Sequence, residues 1–322
     1  MSRQTVPDTE PHPYSAEPRS APETRQLRLS GARLGNSLTV RRALPQARRR
    51  MVGAWCLLDH FGPMDVCAGR GMDVGPHPHM GLQTVTWLFK GELLHRNSLG
   101  YQQIIRPGQL NIMTAGQGIA HSEETPAGHS GCLHGVQMWI ALPRSCRHGS
   151  ADFEHLDSVP SLRIDDAMAT VLVGSLCDGT ASAASVHSPL LAADIRLPAE
   201  GAATLPLDPG FEHALLPVYG DTLLHDGIWL REEQFWDLGM GADRIALSSP
   251  RGSRLLLVGG EPFDEKLQLW WNFVAADREE IVRARADWEA GRRFGKVSNY
   301  RGERLPAPPL AELPGAGSSA KR

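Results

Sequence analysis

From about Leu38 to Val297 the chain alternates short apolar runs with clusters of Gly, Pro and Asn. Thr84–Phe89, Gln102–Ile105, Leu110–Thr114 and Gly135–Ala141 are such runs in the first half. Thr170–Gly174, Ala192–Leu197, Leu215–Tyr219 and Arg254–Gly259 are their counterparts in the second. Each reads as a strand, and the segments between them carry turn chemistry: Lys90–Gly91, Ser98–Leu99–Gly100 and Arg106–Pro107–Gly108. Many short strands at roughly even spacing predict an all-β barrel or sandwich. One helix interrupts the pattern. Asp277 is placed as its N-cap with Glu280 at capping-box spacing, Ile281, Ala284 and Trp288 share one face, and Gly291 suits the stop.

The ends depart from this pattern. Residues 1–25 hold five prolines within the first 22 positions and lack large apolar side chains, so a disordered tail is expected there. The Pro/Ala/Gly/Ser-rich stretch after Leu305 predicts a second disordered tail over 301–322. Arg144–Leu162 is polar without a strand pattern, which places a division between two β domains, 26–145 and 146–300. No repeat of 20–50 residues relates the two halves.

Composition narrows the function classes. A chain of 322 residues can build one large or two ordinary cores, and a net charge of −3 gives no footprint for nucleic acid. The basic run Arg48–Arg49–Arg50, with Arg41 and Arg42 before it, reads as a solvated strand end or loop. Cys56, Cys67, Cys132, Cys146 and Cys177 are odd in number and contain no C-x-x-C pair. That argues against a zinc ribbon or a disulfide framework and for reduced thiols. The N-terminus has no apolar core of a signal peptide, and no run approaches the roughly 18 apolar residues of a membrane span. A cytoplasmic location without membrane contact is expected.

Seven of the thirteen histidines lie between His60 and His134. His77 and His79 are spaced i, i+2, which on a strand turns both to one face while Pro78 turns away. His121 and Glu123 repeat that spacing after the turn Ala115–Gly116–Gln117–Gly118. If both faces look into one barrel, three imidazoles and a carboxylate converge on a single divalent ion and leave positions open for water or substrate. Such donors suit Fe(II), Ni(II), Cu(II), Zn(II) or Mn(II) and do not select among them. His95 is placed either to donate behind those ligands or to serve as a satisfied structural histidine. Gln137 is a further candidate for the cavity; His60 reads as structural, and Trp270 and Trp271 as packing. His187, His213 and His225 show no ligand spacing, so no metal is expected in the second domain. Nucleotide-binding and Ser-hydrolase motifs are absent from the sequence.

These motifs resemble one known family. His77–Pro78–His79–Met80–Gly81 with Gln83–Thr84–Val85–Thr86, then His95–Arg96–Asn97–Ser98–Leu99–Gly100 and Met113–Thr114–Ala115–Gly116–Gln117–Gly118–Ile119–Ala120–His121–Ser122–Glu123, resemble the pirins. So do Leu57–Leu58–Asp59–His60–Phe61–Gly62–Pro63 near the start, and Gly259–Gly260–Glu261–Pro262 and Trp270–Trp271–Asn272–Phe273–Val274 near the end. The resemblance implies a bicupin: two stacked antiparallel jelly-roll β-barrels with a short C-terminal helix, and iron, Fe(2+), in the first barrel. Its ligand motif falls on His77, His79, His121 and Glu123. Gln83 stands where the family usually has Glu, a change expected to tune the surroundings of the site. The activity implied is that of a quercetin 2,3-dioxygenase, opening a flavonol ring with O2, with Glu123 accepting the substrate's proton. The family also implies an alternative, a redox-sensing regulator whose protein partner is a transcription factor or metabolic enzyme.

Overall fold

Runs of alternating polarity bury one face of a sheet and must find a second layer for it. A computed structural model describes residues 12–14, 24–34, 38–67, 71–176 and 179–310. The strands up to residue 156 are β1 (His12–Tyr14), β2 (Arg25–Arg28), β3 (Ser30–Leu34), β4 (Leu38–Leu44), β5 (Trp55–Asp65), β6 (Asp73–His79), β7 (Leu82–Lys90), β8 (Leu93–Asn97), β9 (Gln102–Ile105), β10 (Leu110–Thr114), β11 (Ile119–Glu124), β12 (Cys132–Ala141) and β13 (Asp152–Leu156). A seven-stranded sheet in the order β13-β10-β7-β12-β5-β4-β3 faces a four-stranded sheet in the order β6-β11-β8-β9. A second pair of sheets, seven- and four-stranded, is built from residues 161–260 together with β2. Each pair is a jelly-roll sandwich, and neither closes into the expected barrel.

The two seven-stranded sheets pack back to back. Val85, Trp87, Ile112 and Met138 join Leu172, Ala192, Leu216 and Val258 in one apolar cluster spanning both sandwiches. Alternation then turns Thr84, Thr86, Asn111, Gln137 and Trp139 to the opposite face, toward the four-stranded sheet. Trp55 pins the seam: its buried indole N–H is shared between the carbonyls of Leu191 at 3.2 Å and Gly259 at 3.0 Å. Trp55→Ala is expected to destabilise the protein by about 3–5 kcal/mol. Trp55→Phe, which leaves the two carbonyls without this donor, should cost about 1–3 kcal/mol. Urea denaturation of both variants measures the difference.

Several expectations are corrected here. β2 pairs with Gln234–Gly239 in the second sandwich, and β13 pairs with β10 in the first, so each sandwich borrows a strand from beyond the expected division near residue 145. β13 (Asp-Phe-Glu-His-Leu) is a polar edge strand with only Phe153 buried, which is why no strand pattern marks it. Arg49 is not solvated. It is 1% exposed and pairs across the seam with Glu212 at 3.3 Å and Asp237 at 3.2 Å. Most of the expected N-terminal tail lies outside the described residues, although β1 within it pairs with Leu267–Trp270.

Of the expected C-terminal tail, residues 311–322 lie outside the described residues, while 301–310 form an extended strap. Fixed polar groups satisfy its backbone: the Trp288 indole donates to Leu305 O at 2.8 Å, Arg285 to Pro308 O at 2.7 Å, and Leu305 N donates to Pro76 O at 2.8 Å. Those partners lie far away in sequence, so composition alone misreads the segment. The helix α1 (Arg278–Glu289) starts as expected, with the Asp277 side chain accepting from Glu280 N at 2.8 Å, and buries Ile281, Ala284 and Trp288.

Candidate metal centre

The two i, i+2 pairs lie on adjacent strands. β6 reads Asp-Val-Gly-Pro-His-Pro-His, and its two prolines are tolerated because β6 is the edge of the four-stranded sheet. β11 pairs with it in a register that sets His121 opposite His77. A bulge then intervenes, so that Glu123 falls opposite Val74. On its other side β11 pairs with β8, with Glu123 opposite His95 and His121 opposite Asn97. Just past His79 the chain turns through Gly81 at φ +75°, where a Cβ would lie 2.0 Å from Val274 O; only glycine fits.

Two overlapping groups of donor atoms result, each within 4.8 Å: His77, His79 and His121, and His95, His121 and Glu123. His121 belongs to both. The sequence reading therefore finds its three histidines gathered together, while Glu123 gathers with His121 and with His95. His95 and Asn97 form a third i, i+2 pair on the same sheet, a spacing signal that could have placed Asn97 beside the site.

Hydrogen bonds orient the rings. His77 Nδ1 donates to Gly75 O at 2.8 Å, which leaves the Nε2 lone pair free. Asn97 Oδ1 accepts from Leu99 N and Tyr101 N, so its amide nitrogen is turned to His95 Nε2 at 3.3 Å. His95 Nδ1 lies 3.3 Å from His121 Nδ1. His121 Nε2 in turn lies 3.0 Å from His79 Nε2, and His79 Nδ1 has no partner. A separation of about 3.0 Å suits two nitrogens set at about a right angle around an ion roughly 2.1 Å from each.

The site is buried and short of charge. His79, His95 and His121 are 1–2% exposed, His77 and Glu123 6–7%. Burial lowers the pKa of His77 to about 4 and, helped by the nearby His77, that of His95 to about 3. Burial first, then the neighbouring imidazoles, drives His79 and His121 well below the usual histidine range. Burial raises Glu123 to about 7, and its Oε1 has no hydrogen-bond partner. Neutral imidazole lone pairs and an orphaned buried carboxylate oxygen fit a divalent cation, which would supply the missing charge.

A pH dependence follows for the metal-free protein. The stability tied to the depressed histidines is fully present above their unfolded value of 6.5. It is lost as pH falls through about 4 for His77 and about 3 for His95. Glu123 acts in the opposite sense, its contribution present below 4.5 and lost as pH rises through about 7. With four depressed imidazoles against one raised carboxyl, the thermal midpoint should fall steadily from pH 6.5 to pH 4. A midpoint that stays flat or rises over that interval would contradict the assignment.

Gln83 is not beside the site. It lies on the far face of β7, its amide donating to Thr114 Oγ1 and Ser185 O, both at 2.9 Å. Gln137 faces the inside of the sandwich and accepts from Thr86 Oγ1 at 2.8 Å. His60 packs against His134, with ring nitrogens 2.7 Å apart. Trp270 is buried in the cluster beneath α1, with Trp271 packed against it. Cys56, Cys132 and Cys146 are free thiols, Cys67 Sγ donates to Gly131 O at 3.9 Å, and Cys177 lies outside the described residues. Among the described residues no helix is long and apolar enough to cross a membrane. The sequence reading missed Trp139, whose ring meets His79 edge-on at 5.0 Å.

Comparison with known proteins matches residues 37–140 to the Pirin family and residues 192–295 to the Pirin C-terminal cupin domain. A Pseudomonas aeruginosa protein provisionally named quercetin 2,3-dioxygenase is 45% identical over 280 residues, 87% of this chain and 88% of its own. A pirin-like protein of Caulobacter vibrioides is 36% identical, covering 80% of this chain and 90% of its own. The crystal structure of quercetin 2,3-dioxygenase from Acinetobacter baumannii superposes with a TM-score of 0.86 at 40% identity, over 90% of this chain and 96% of that one.

Proposed function

The chain belongs to the pirin family, and from that premise we propose that it is a metal-dependent dioxygenase that opens a flavonol ring with O2. The family implies a divalent metal, and a His-rich site is present. The observation that carries the proposal is the buried donor set itself, three imidazoles and a carboxylate with an unpartnered oxygen, in a chain whose relatives bear quercetin 2,3-dioxygenase names. In this reading His77, His79, His121 and Glu123 hold the ion. Fe(2+) is the proposed metal, and the donors suit Ni, Cu, Zn and Mn as well.

When bound, the ion supplies Lewis-acid stabilisation to the oxyanion of the ionised substrate. The chain's residues do the rest. Glu123 takes the proton of the flavonol 3-hydroxyl, and the depth of the site keeps bulk water from competing for it. Substrate ionisation, orientation and O2 access thus converge on the inner face of the first sandwich. Reduced thiols fit a cytoplasmic setting. The test is metal analysis of protein purified without chelator, combined with oxygen uptake on quercetin. One ion per chain and one O2 consumed per flavonol are expected. Bound metal without oxygen uptake would refute the dioxygenase reading and favour a regulatory role with a protein partner.

A further inference from the structure

Opposite the histidines the seven-stranded sheet carries a line of polar side chains. Cross-strand pairing aligns His155, Asn111, Thr86, Gln137, Asp59 and Arg42, one from each of six adjacent strands. Their strand neighbours Leu110, Ile112, Val136 and Met138 pack into the seam between the sandwiches, so Asn111, Thr86 and Gln137 face inward. The next row is Phe153, Met113, Thr84, Trp139 and Leu57. It touches the donor cluster directly: Phe153 stacks on His95 at 4.6 Å, and Trp139 meets His79.

A polar row inside a sandwich is costly unless its hydrogen bonds are made. Most are: Arg42 donates to both oxygens of Asp59 at 2.8 and 2.7 Å, Thr86 to Gln137 Oε1 at 2.8 Å, and His155 Nδ1 to Asn111 Oδ1 at 2.6 Å. Two donors remain. Asn111 Nδ2 and Trp139 Nε1 are buried and have no partner, although Asn111 is 3% and Trp139 5% exposed. With the His155 proton assigned to Nδ1, Asn111's oxygen is the accepting atom and its NH2 is left unpaired. The two strands are separated only by β7, which sets their backbones roughly 10 Å apart across the sheet, within the length of a three-ring flavonoid.

We propose that this wall is the substrate-recognition surface of the site, with Asn111 Nδ2 and Trp139 Nε1 donating to ring hydroxyl oxygens of a planar polyphenol held over the histidines. The inference rests on the flavonol reading of the site and adds which part of the ligand is read. Rings bearing hydroxyls away from the 3-hydroxyl are favoured over bare ones, because only they satisfy the two donors.

The experiment compares two ligands by anaerobic titration of the metal-loaded protein. Quercetin carries ring hydroxyls, whereas 3-hydroxyflavone keeps only the 3-hydroxyl and its neighbouring carbonyl. Wild type should bind quercetin at least 10-fold more tightly. Asn111→Leu and Trp139→Phe should each weaken quercetin binding about 10-fold while changing 3-hydroxyflavone less than threefold. Circular dichroism and metal content control for folding, and Trp139→Phe carries the test alone if the Asn111 variant does not fold. Equal weakening of both ligands, unchanged quercetin binding, or no preference in wild type would each overturn the inference. Binding with the expected preference but without turnover would refute the dioxygenase activity and leave the recognition wall standing.

Discussion

His121→Ala is expected to lose nearly all bound metal and at least 100-fold of any metal-dependent turnover, while the protein remains folded. His121 is the one residue shared by both donor groups, so its loss dismantles each at once. The fold has little need of it. The apolar cluster between the sandwiches is built without it, and the ring's polar contacts are to other histidines of the site. Its side chain is buried, so the cavity left behind costs some stability, an amount the core between the sandwiches can absorb. Wild type should show a thermal midpoint that rises with added metal, as expected when a ligand binds only the folded state, and the variant should not. His134→Ala is the control, because His134 pairs with His60 outside both donor groups and should leave metal content unchanged. Unfolding of the purified variant under mild conditions would show that the ion is structural.

Strand periodicity explains what was legible in the sequence. A period of two converts i, i+2 spacing into a shared face, so His77 with His79 and His121 with Glu123 could be grouped before any strand was paired. Periodicity does not give register. The bulge that takes Glu123 past the His77 level to stand opposite Val74 on one side and His95 on the other depends on how β6, β11 and β8 align. For that reason His95 was left between two roles. Gln83 shows the same limit from the other direction. It lies within a ligand motif along the chain, yet strand alternation turns it to the far face of β7, toward Ser185.

Long-range pairing accounts for the remaining differences. Arg49 sits in a run of arginines that composition reads as solvated, but Glu212 and Asp237, more than 160 positions away, make its burial tolerable. The strap over 301–310 has too few apolar residues to order itself and relies on donors from α1 and an acceptor on β6. Its bond from Leu305 N to Pro76 O caps the edge of the strand that carries His77 and His79. An edge strand with prolines at two positions makes fewer ladder bonds, and the strap supplies one from outside.

Glu123→Gln separates anchoring from proton transfer, the step on which the proposed chemistry depends most. The substitution keeps the side chain's size at a site only 6% exposed, and an amide oxygen can still coordinate weakly, so part of the metal should be retained. The amide cannot accept the proton of the flavonol hydroxyl. Turnover normalised to measured metal should therefore fall by roughly 100-fold or more, the scale of losing a general base. Wild-type turnover should also decline on the acid side as the carboxylate is protonated, and the variant should lack that limb. The environment favours such a role. In the metal-free protein burial raises the carboxyl to about 7; with an ion held through one carboxylate oxygen, the other would remain to receive the proton. A carboxylate serving only as an anchor would behave differently: once metal is resupplied, activity per ion would return to within a few-fold of wild type with the same pH profile. That result would remove Glu123 as the base while leaving the ligand assignment intact, and the substrate's proton would then have to leave by way of another group on the inner face of the first sandwich.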